Sequence, residues 1–367
     1  MNENPFYHLG AIDQVEYFYN RRSEVRNALR LLRRSQNVAV TGPRRIGKTS
    51  FLRHISHATT LEKHGIDPQR SLFVYIDCQH RSMQGEEPEV YQMLLERVSE
   101  SAHHIGVDHL DESRGDAAAG ARFEAMLRDV SRRGLRTVLL LDEFEEMARN
   151  SHLEPGFFSN LRALCGADDV DVAYVTSSCV SLADLCLERE SLVSSPFFNV
   201  FRIIWLGLFT EQDSRYLVEA SLRRAGARLP RELLELVLEV GGGYPFFLQT
   251  AGYFAFDLTI EREDMGEEER KLFLETVTTQ FAGHFKSYWQ KLKPQERYVL
   301  AALPLVMDDL AYQETIARLK GQCLIKKCDG TYDYFSPLLE AFVRRQVVPS
   351  GRSSSAMPRD GTARGLT

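Results

Sequence analysis

Apolar residues recur at helical spacing from Arg22 to Arg33, where Val25, Ala28, Leu29 and Leu32 fall on one side among Arg and Asn, and this predicts an amphipathic helix. The period then changes. Asn37 to Thr41 (NVAVT) is a short β-branched run that stops at Gly42, and helical spacing resumes from Lys48 to Ala58 through Phe51, Leu52 and Ile55. The predicted order is strand, glycine loop, helix. Further strands are predicted at Ser71 to Cys78 (SLFVYIDC), Thr137 to Leu141 (TVLLL), Val172 to Thr176 (VAYVT) and Val200 to Leu206 (VFRIIWL), the first two continuously apolar, as strands covered on both faces are. Helical stretches at Glu89 to Ala102, Arg122 to Arg133, Phe157 to Leu164 and Leu182 to Glu190 lie between them. Such alternation predicts an α/β fold, a parallel sheet flanked by helices, because crossovers are what connect parallel strands.

From Thr210 the pattern is helical: Glu211 to Ala225, Pro230 to Val240, a break at Gly241, Gly242 and Gly243, then Tyr244 to Ile260. Thr210 followed by Asp213 predicts a helix start, since a hydroxyl cap and early carboxylates satisfy free N–H groups and suit the helix dipole. A long helix at Glu267 to Leu292, short ones at Pro294 to Leu303 and Tyr312 to Leu319, a hairpin around Asp329 and Gly330, and a last helix at Pro337 to Arg345 suggest a winged helix. The expected division is a core at 1–208, a helical lid at 209–283, a winged-helix domain at 284–348 and a disordered tail at 349–367, rich in Gly, Ser, Pro and Arg. His103 to Gly120 loses periodicity and is expected to be an exposed loop.

Composition narrows the class. With 44% hydrophobic and 26% charged residues, wholesale disorder, collagen and coiled coil are excluded. A formal charge of -6 argues against a globally basic coat for nucleic acid. The six cysteines form no CxxC pair, so neither a disulfide framework nor a zinc ribbon is indicated, and the histidines have no metal-binding spacing. No uncharged apolar run reaches the roughly 18 residues of a membrane span, and no leader pattern opens the chain; a cytoplasmic protein without membrane contact is expected.

Gly42, Pro43, Arg44, Arg45, Ile46, Gly47, Lys48 and Thr49 form a complete GxxxxGKT after a strand and at the start of a helix, with Ser50 next in the chain. Glycines let the loop curl so that its N–H groups face a phosphate, and the helix N-terminus adds partial positive charge. Lys48 would neutralise the β and γ phosphates of ATP, and the Thr49 hydroxyl would take one place on Mg²⁺. VLLLDE at Val138 to Glu143 delivers two adjacent carboxylates at a strand end. Adjacent strand residues point to opposite faces, so their tasks differ: Asp142 orients the magnesium shell, and Glu143, directed into the cleft, polarises the attacking water. Ser177 and Ser178 at the end of the fourth strand are candidates for sensing the γ phosphate. Arg189 and Arg202 are candidates for a charge supplied to a neighbouring subunit, with surface salt bridging as their expected fate. The aromatics around Pro245, and Trp205 and Trp289, are expected in the core.

NPFYHLG and EYFYNRRSEV ahead of GPRRIGKTSFL, then VYIDC, LLLDEFE, VTSS, LGLFTEQDS and GGGYPFFLQ, resemble the STAND branch of AAA-related P-loop ATPases, near the archaeal-type and MNS-like members. The resemblance covers about Asn4 to Ile260. It implies a nucleotide-dependent switch that binds ATP or ADP with Mg²⁺, hydrolyses ATP slowly, and assembles or signals through attached domains. The family's opening motif falls on Phe18, Tyr19, Asn20, Arg21 and Glu24, implying a cover over the adenine; Tyr19 replaces a small residue and Asn20 a glycine, which Asn mimics through its tolerance of left-handed backbone. The lid motif falls on Gly243, Tyr244 and Pro245, implying that Pro245 packs toward the nucleotide. Asn199 and Val200 stand where relatives carry Gly-Arg before the fifth strand.

Three functions fit these features. The first is an ATP-operated switch acting through a homo-oligomer or a protein effector partner, in bacterial defence or regulation. The second is a DNA-binding ATPase resembling origin-recognition or transposition-regulator proteins, with DNA on the winged helix; there, between Lys286 and Arg345, ten Lys or Arg stand against seven carboxylates, a small excess. The third is a nucleotide-bound scaffold without turnover, against which the intact Glu143 speaks.

Overall fold

The computed structural model describes residues 3–6, 10–108, 110, 118–189, 196–261, 266–306, 309–328 and 330–347. The expected tail at 349–367, most of the loop after Val107 and the turn residue Asp329 lie outside the described residues.

Helix α1 (Arg22–Leu32) buries Val25, Ala28, Leu29 and Leu32, the positions that its period picks out. Strand β1 (Asn37–Thr41) is buried at every residue, and α2 (Lys48–Ser56) follows the glycine loop, with α3 (Ala58–Lys63) behind it. Next come β2 (Ser71–Asp77), α4 (Glu87–His104), α5 (Ala119–Arg132), β3 (Arg136–Asp142), α6 (Phe144–Arg149), α7 (Pro155–Leu164), β4 (Val172–Ser178), α8 (Leu182–Glu188) and β5 (Phe201–Trp205). All four pairings of the sheet β2-β3-β4-β1-β5 are parallel. The register sets Thr41 beside Ser178 and Asp77 beside Asp142, so the carboxyl ends of neighbouring strands open on one edge. In such sheets ligands bind outside those ends.

Alternation along each strand divides the core between the two faces. Val138 and Leu140 join one cluster with α1 and α2, whereas Leu139 and Leu141 join the other with α4, α5 and α7. One expectation fails at the rim: Trp205 is 44% exposed and Ile203 66% exposed. The cause is topological, because β5 is an edge strand and only its Ile204 side is sealed by the core.

The helical half begins at Thr210, whose Oγ1 accepts the Asp213 N–H at 3.1 Å, the expected cap of α9 (Glu211–Arg224). It continues with α10 (Arg231–Gly241), α11 (Pro245–Glu261), α12 (Glu267–Lys291), α13 (Pro294–Ala301), α14 (Gln313–Gly321), the antiparallel pair β6 (Ile325–Cys328) and β7 (Thr331–Tyr334), and α15 (Pro337–Val347). Gly242 adopts φ 56°, and a Cβ there would stand 1.9 Å from the Phe335 carbonyl oxygen, so glycine is required where α10 meets the hairpin. One buried cluster runs without a break from α1 and α2 through α10 and α11 to α15, which holds the helical half against the sheet. Among the described residues no helix is long and apolar enough to cross a membrane.

Candidate functional site

The site begins where β1 ends. A Cβ on Gly42 would come within 2.5 Å of the Leu206 carbonyl oxygen, so the loop leaves the sheet through a gap that only glycine fits. Arg45 (φ 63°) and Gly47 (φ 100°) then turn the loop back so that Gly47 caps α2 with no side chain of its own. Left-handed residues alternating with right-handed ones make a concavity of N–H groups suited to an anion. Lys48 is 5% exposed, and its Nζ donates to the Pro43 carbonyl at 3.3 Å and to the Cys179 sulfur at 3.0 Å. Burial pushes the Cys179 thiol up, so both acceptors are neutral. The ammonium's hydrogen-bond acceptors are therefore neutral, the nearby opposite charge is the Glu143 carboxyl, and an incoming anion would relieve the remaining cost of burial.

Strand β3 carries the carboxylates to the same edge. Asp142, 2% exposed, accepts the Tyr75 hydroxyl at 2.8 Å and the Glu143 N–H at 3.1 Å. Glu143 leaves the strand in left-handed backbone (φ 49°) to cap α6, which turns its side chain to the cavity while Asp142 stays inside. Burial raises the Glu143 carboxyl above the ordinary range, against the pull of Lys48. Glu145 is 1% exposed; its Oε1 accepts the Cys179 N–H at 3.0 Å and its Oε2 has no partner.

Around these groups lies a cavity of about 300 Å³, walled by residues 10–12, residues 17–19, Arg21, the loop from Arg45 to Ser50, Glu143 and the start of α11. That volume falls at the small end of ligand sites. Asn20 (φ 65°) takes the left-handed turn expected of it and donates to the Asp213 carbonyl at 2.7 Å, which ties this wall to α9. The Arg21 side chain is 7% exposed, donates to the Gly207 carbonyl, and lies 4.5 Å from the Phe209 ring centre. The Ile12 N–H reaches Ser50 Oγ at 3.0 Å, fastening the N-terminal segment to α2. Pro245 opens α11 at the wall.

Phe18 stacks on His54 with ring centres 4.0 Å apart. Burial, with His57 and Lys63 adding to it, lowers the His54 pKa to about 4. Between about pH 6.5 and 4 the unfolded chain thus binds the proton that the folded chain refuses, and stability falls as the pH drops. Denaturant titrations at pH 7.5 and 5 are expected to show this loss in the wild type and a smaller one in His54→Phe, which keeps a ring under Phe18. An equal loss in both would remove His54 as its source.

Among the residues singled out from sequence, the fold gathers Arg21, Arg45, Ile46, Gly47, Lys48, Thr49, Ser50, Glu143 and Pro245 around one space. Gly42, Pro43 and Arg44 shape the loop from behind. Ser177 is fully buried with an unpartnered Oγ and is not part of the wall, and Ser178 donates to the Val180 carbonyl. Arg189, expected in surface salt bridges, instead donates to the carbonyls of Ala148, Asn150 and Leu153, bracing the chain after α6. Arg202 is exposed on β5. Sequence reasoning missed Tyr75, Glu145 and Gln249. Tyr75 and Glu145 stand near the acidic motif, but only packing reveals their partners. Gln249 is a polar residue in the largely apolar α11, a signal available in the sequence.

Residues 33–304 match the family described as Novel STAND NTPase 2. The Walker-type ATPase of Pyrococcus abyssi is similar over 92% of this chain and 99% of that one, at 17% identity and a TM-score of 0.63. The ORC2 protein of Aeropyrum pernix in its ADPNP–ADP complexes is similar over 94% of this chain and 97% of that one, at 13% identity and a TM-score of 0.58. Its ADP form gives 13% identity and a TM-score of 0.56 over 93% and 97% of the two chains. Identities this low speak for the fold, that of a P-loop ATPase. Among curated proteins none matches.

Proposed function

We propose that this chain, which belongs to the novel STAND NTPase 2 family, binds ATP in the cavity beyond β1, hydrolyses it slowly, and uses the bound phosphates to set the position of its helical lid. The loop N–H groups and Lys48 take the phosphates, Arg21 and Pro245 flank the nucleoside, and Glu143 orients the attacking water. Thr49 and Asp142 would hold Mg²⁺: both offer hard oxygen atoms, as this ion demands, and the Thr49 side chain faces the cavity. The ion, when bound, supplies charge neutralisation at the phosphates. In this reading residues 1–208 are the nucleotide-binding core, 209–283 the lid and 284–348 a winged helix, through which a further copy or an effector protein is engaged.

One observation carries the switch: the phosphate loop is bonded to the lid. Tyr244, immediately before α11, donates its hydroxyl to the Arg44 carbonyl at 2.5 Å, and the Arg45 guanidinium lies 4.2 Å from the Phe246 ring centre. Any adjustment of the loop to a γ phosphate therefore pulls directly on α11, and the unbroken core behind it carries the motion to α15. Small-angle scattering and molar-mass measurements with and without a non-hydrolysable ATP analogue plus Mg²⁺ are expected to show a nucleotide-dependent change of shape or mass. In Tyr244→Phe, which loses the hydrogen bond to the Arg44 carbonyl, worth about 0.5–1.5 kcal/mol, and a long one from the Tyr288 hydroxyl, ATP affinity is expected to stay within about tenfold while that change shrinks. A wild type that binds the analogue in calorimetry yet keeps the same shape and mass would be a scaffold and no switch.

A further inference from the structure

We propose that Gln249 reads the base of the bound nucleotide and selects adenine over guanine. The inference rests on the nucleotide reading of the cavity and extends it to a residue that neither the phosphate-loop motif nor the lid motif contains.

Gln249 lies on α11 one turn beyond Pro245 and Phe246, so the three share the face turned to the cavity. The residue is 6% exposed, and its Oε1 is buried without a partner. An amide sealed in this way is unfavourable unless a ligand completes its hydrogen bonds. Its position along the helix separates it from the phosphate machinery. Phe246, at the near end, carries Arg45 of the loop. At the far end Gly252 lies so close to the Phe6 ring that a Cβ would come within 2.7 Å of it, and the Tyr253 carbonyl accepts the Asn4 side chain at 3.0 Å. Gln249 thus stands midway along this stretch of helix, and the cavity it lines is also lined by the apolar Ile12, Phe18 and Leu217.

A side-chain amide offers one acceptor and one donor in a plane. Adenine presents the matching pair on one edge, the N6 amine beside the N7 acceptor, and Gln can pair with both. On the same edge guanine presents two acceptors, O6 and N7, so one end of the amide stays unpaired whichever way it is turned. Because the Gln249 amide is buried, that mismatch is what discriminates.

Calorimetric or competition binding of ATP, GTP and purine riboside triphosphate, which lacks the exocyclic amine, tests the assignment. The wild type is expected to favour ATP over both others by about tenfold or more. Gln249→Leu is expected to bring the three within about twofold of one another while leaving tripolyphosphate binding unchanged. Gln249→Glu keeps an acceptor and is expected to retain the preference for ATP over purine riboside triphosphate. If the leucine variant folds and keeps the wild-type preference, or if the wild type binds ATP and GTP alike, the assignment of Gln249 is wrong while the nucleotide site stands. If the wild type binds none of the triphosphates, the site reading itself falls and this inference with it.

Discussion

Lys48→Ala is expected to lose ATP binding altogether at micromolar to sub-millimolar nucleotide. Lys48 brings the buried positive charge to the concave side of the loop, and its present partners, the Pro43 carbonyl and a neutral Cys179 thiol, hold it without neutralising it. Hydrogen bonds to charged groups contribute about 1.5–3 kcal/mol each. Losing contacts to two phosphates therefore costs about a hundredfold or more in affinity. Thermal melting supplies a second readout with the opposite sign. Attraction to the Glu143 carboxylate offsets only part of the cost of burying this ammonium, so Lys48→Ala is expected to melt no lower than the wild type. Loss of binding together with an unchanged or raised Tm separates a missing ligand from a collapsed loop. Wild-type heats of ATP binding in this variant would dismiss the cavity as a phosphate site.

Glu143→Gln is expected to trap ATP. The substitution keeps shape, and the contacts that fix the neighbouring Asp142 come from the Tyr75 hydroxyl and from the backbone N–H of residue 143, neither of which it removes. It deletes one negative charge from a site where burial first, and then Glu145 and Asp142, raise the Glu143 carboxyl, so affinity for ATP should hold or improve. Hydrolysis is another matter: positioned proton acceptors contribute about 10²–10⁴ in rate, and an amide cannot take the proton. Single-turnover phosphate release is the measurement. Release at the wild-type rate would move the role elsewhere, and Glu145, buried close by with a free oxygen, becomes the next residue to replace.

The phosphate loop and the acidic pair differ in how far local chemistry fixes them. The loop and its lysine are legible in the chain because the chemistry is local: a strand must end, glycines must allow the turn, and a helix must begin within eight or so residues. The acidic pair is half legible. That Asp142 and Glu143 diverge follows from strand geometry, but the left-handed backbone at Glu143 is a fact of packing. Trp205 is exposed for a related reason. Its apolar run reads like any buried strand, and nothing within the run says that β5 falls at the sheet's edge.

By itself the sequence determined the alternation of strands and helices, the phosphate loop, the cap at Thr210 and the chemical types gathered at the strand ends. Each depends on neighbours a few residues apart, where period, backbone preference and hydrogen-bond supply can be judged directly. Only the tertiary structure decided that Tyr244 grips the phosphate loop, 200 positions away in sequence, that Arg189 braces three carbonyls, and that Gln249 and Glu145 are sealed with atoms unpaired. A polar group's burial and its lack of a partner are properties of everything packed around it, contributed by segments far apart along the chain, and no local pattern encodes them.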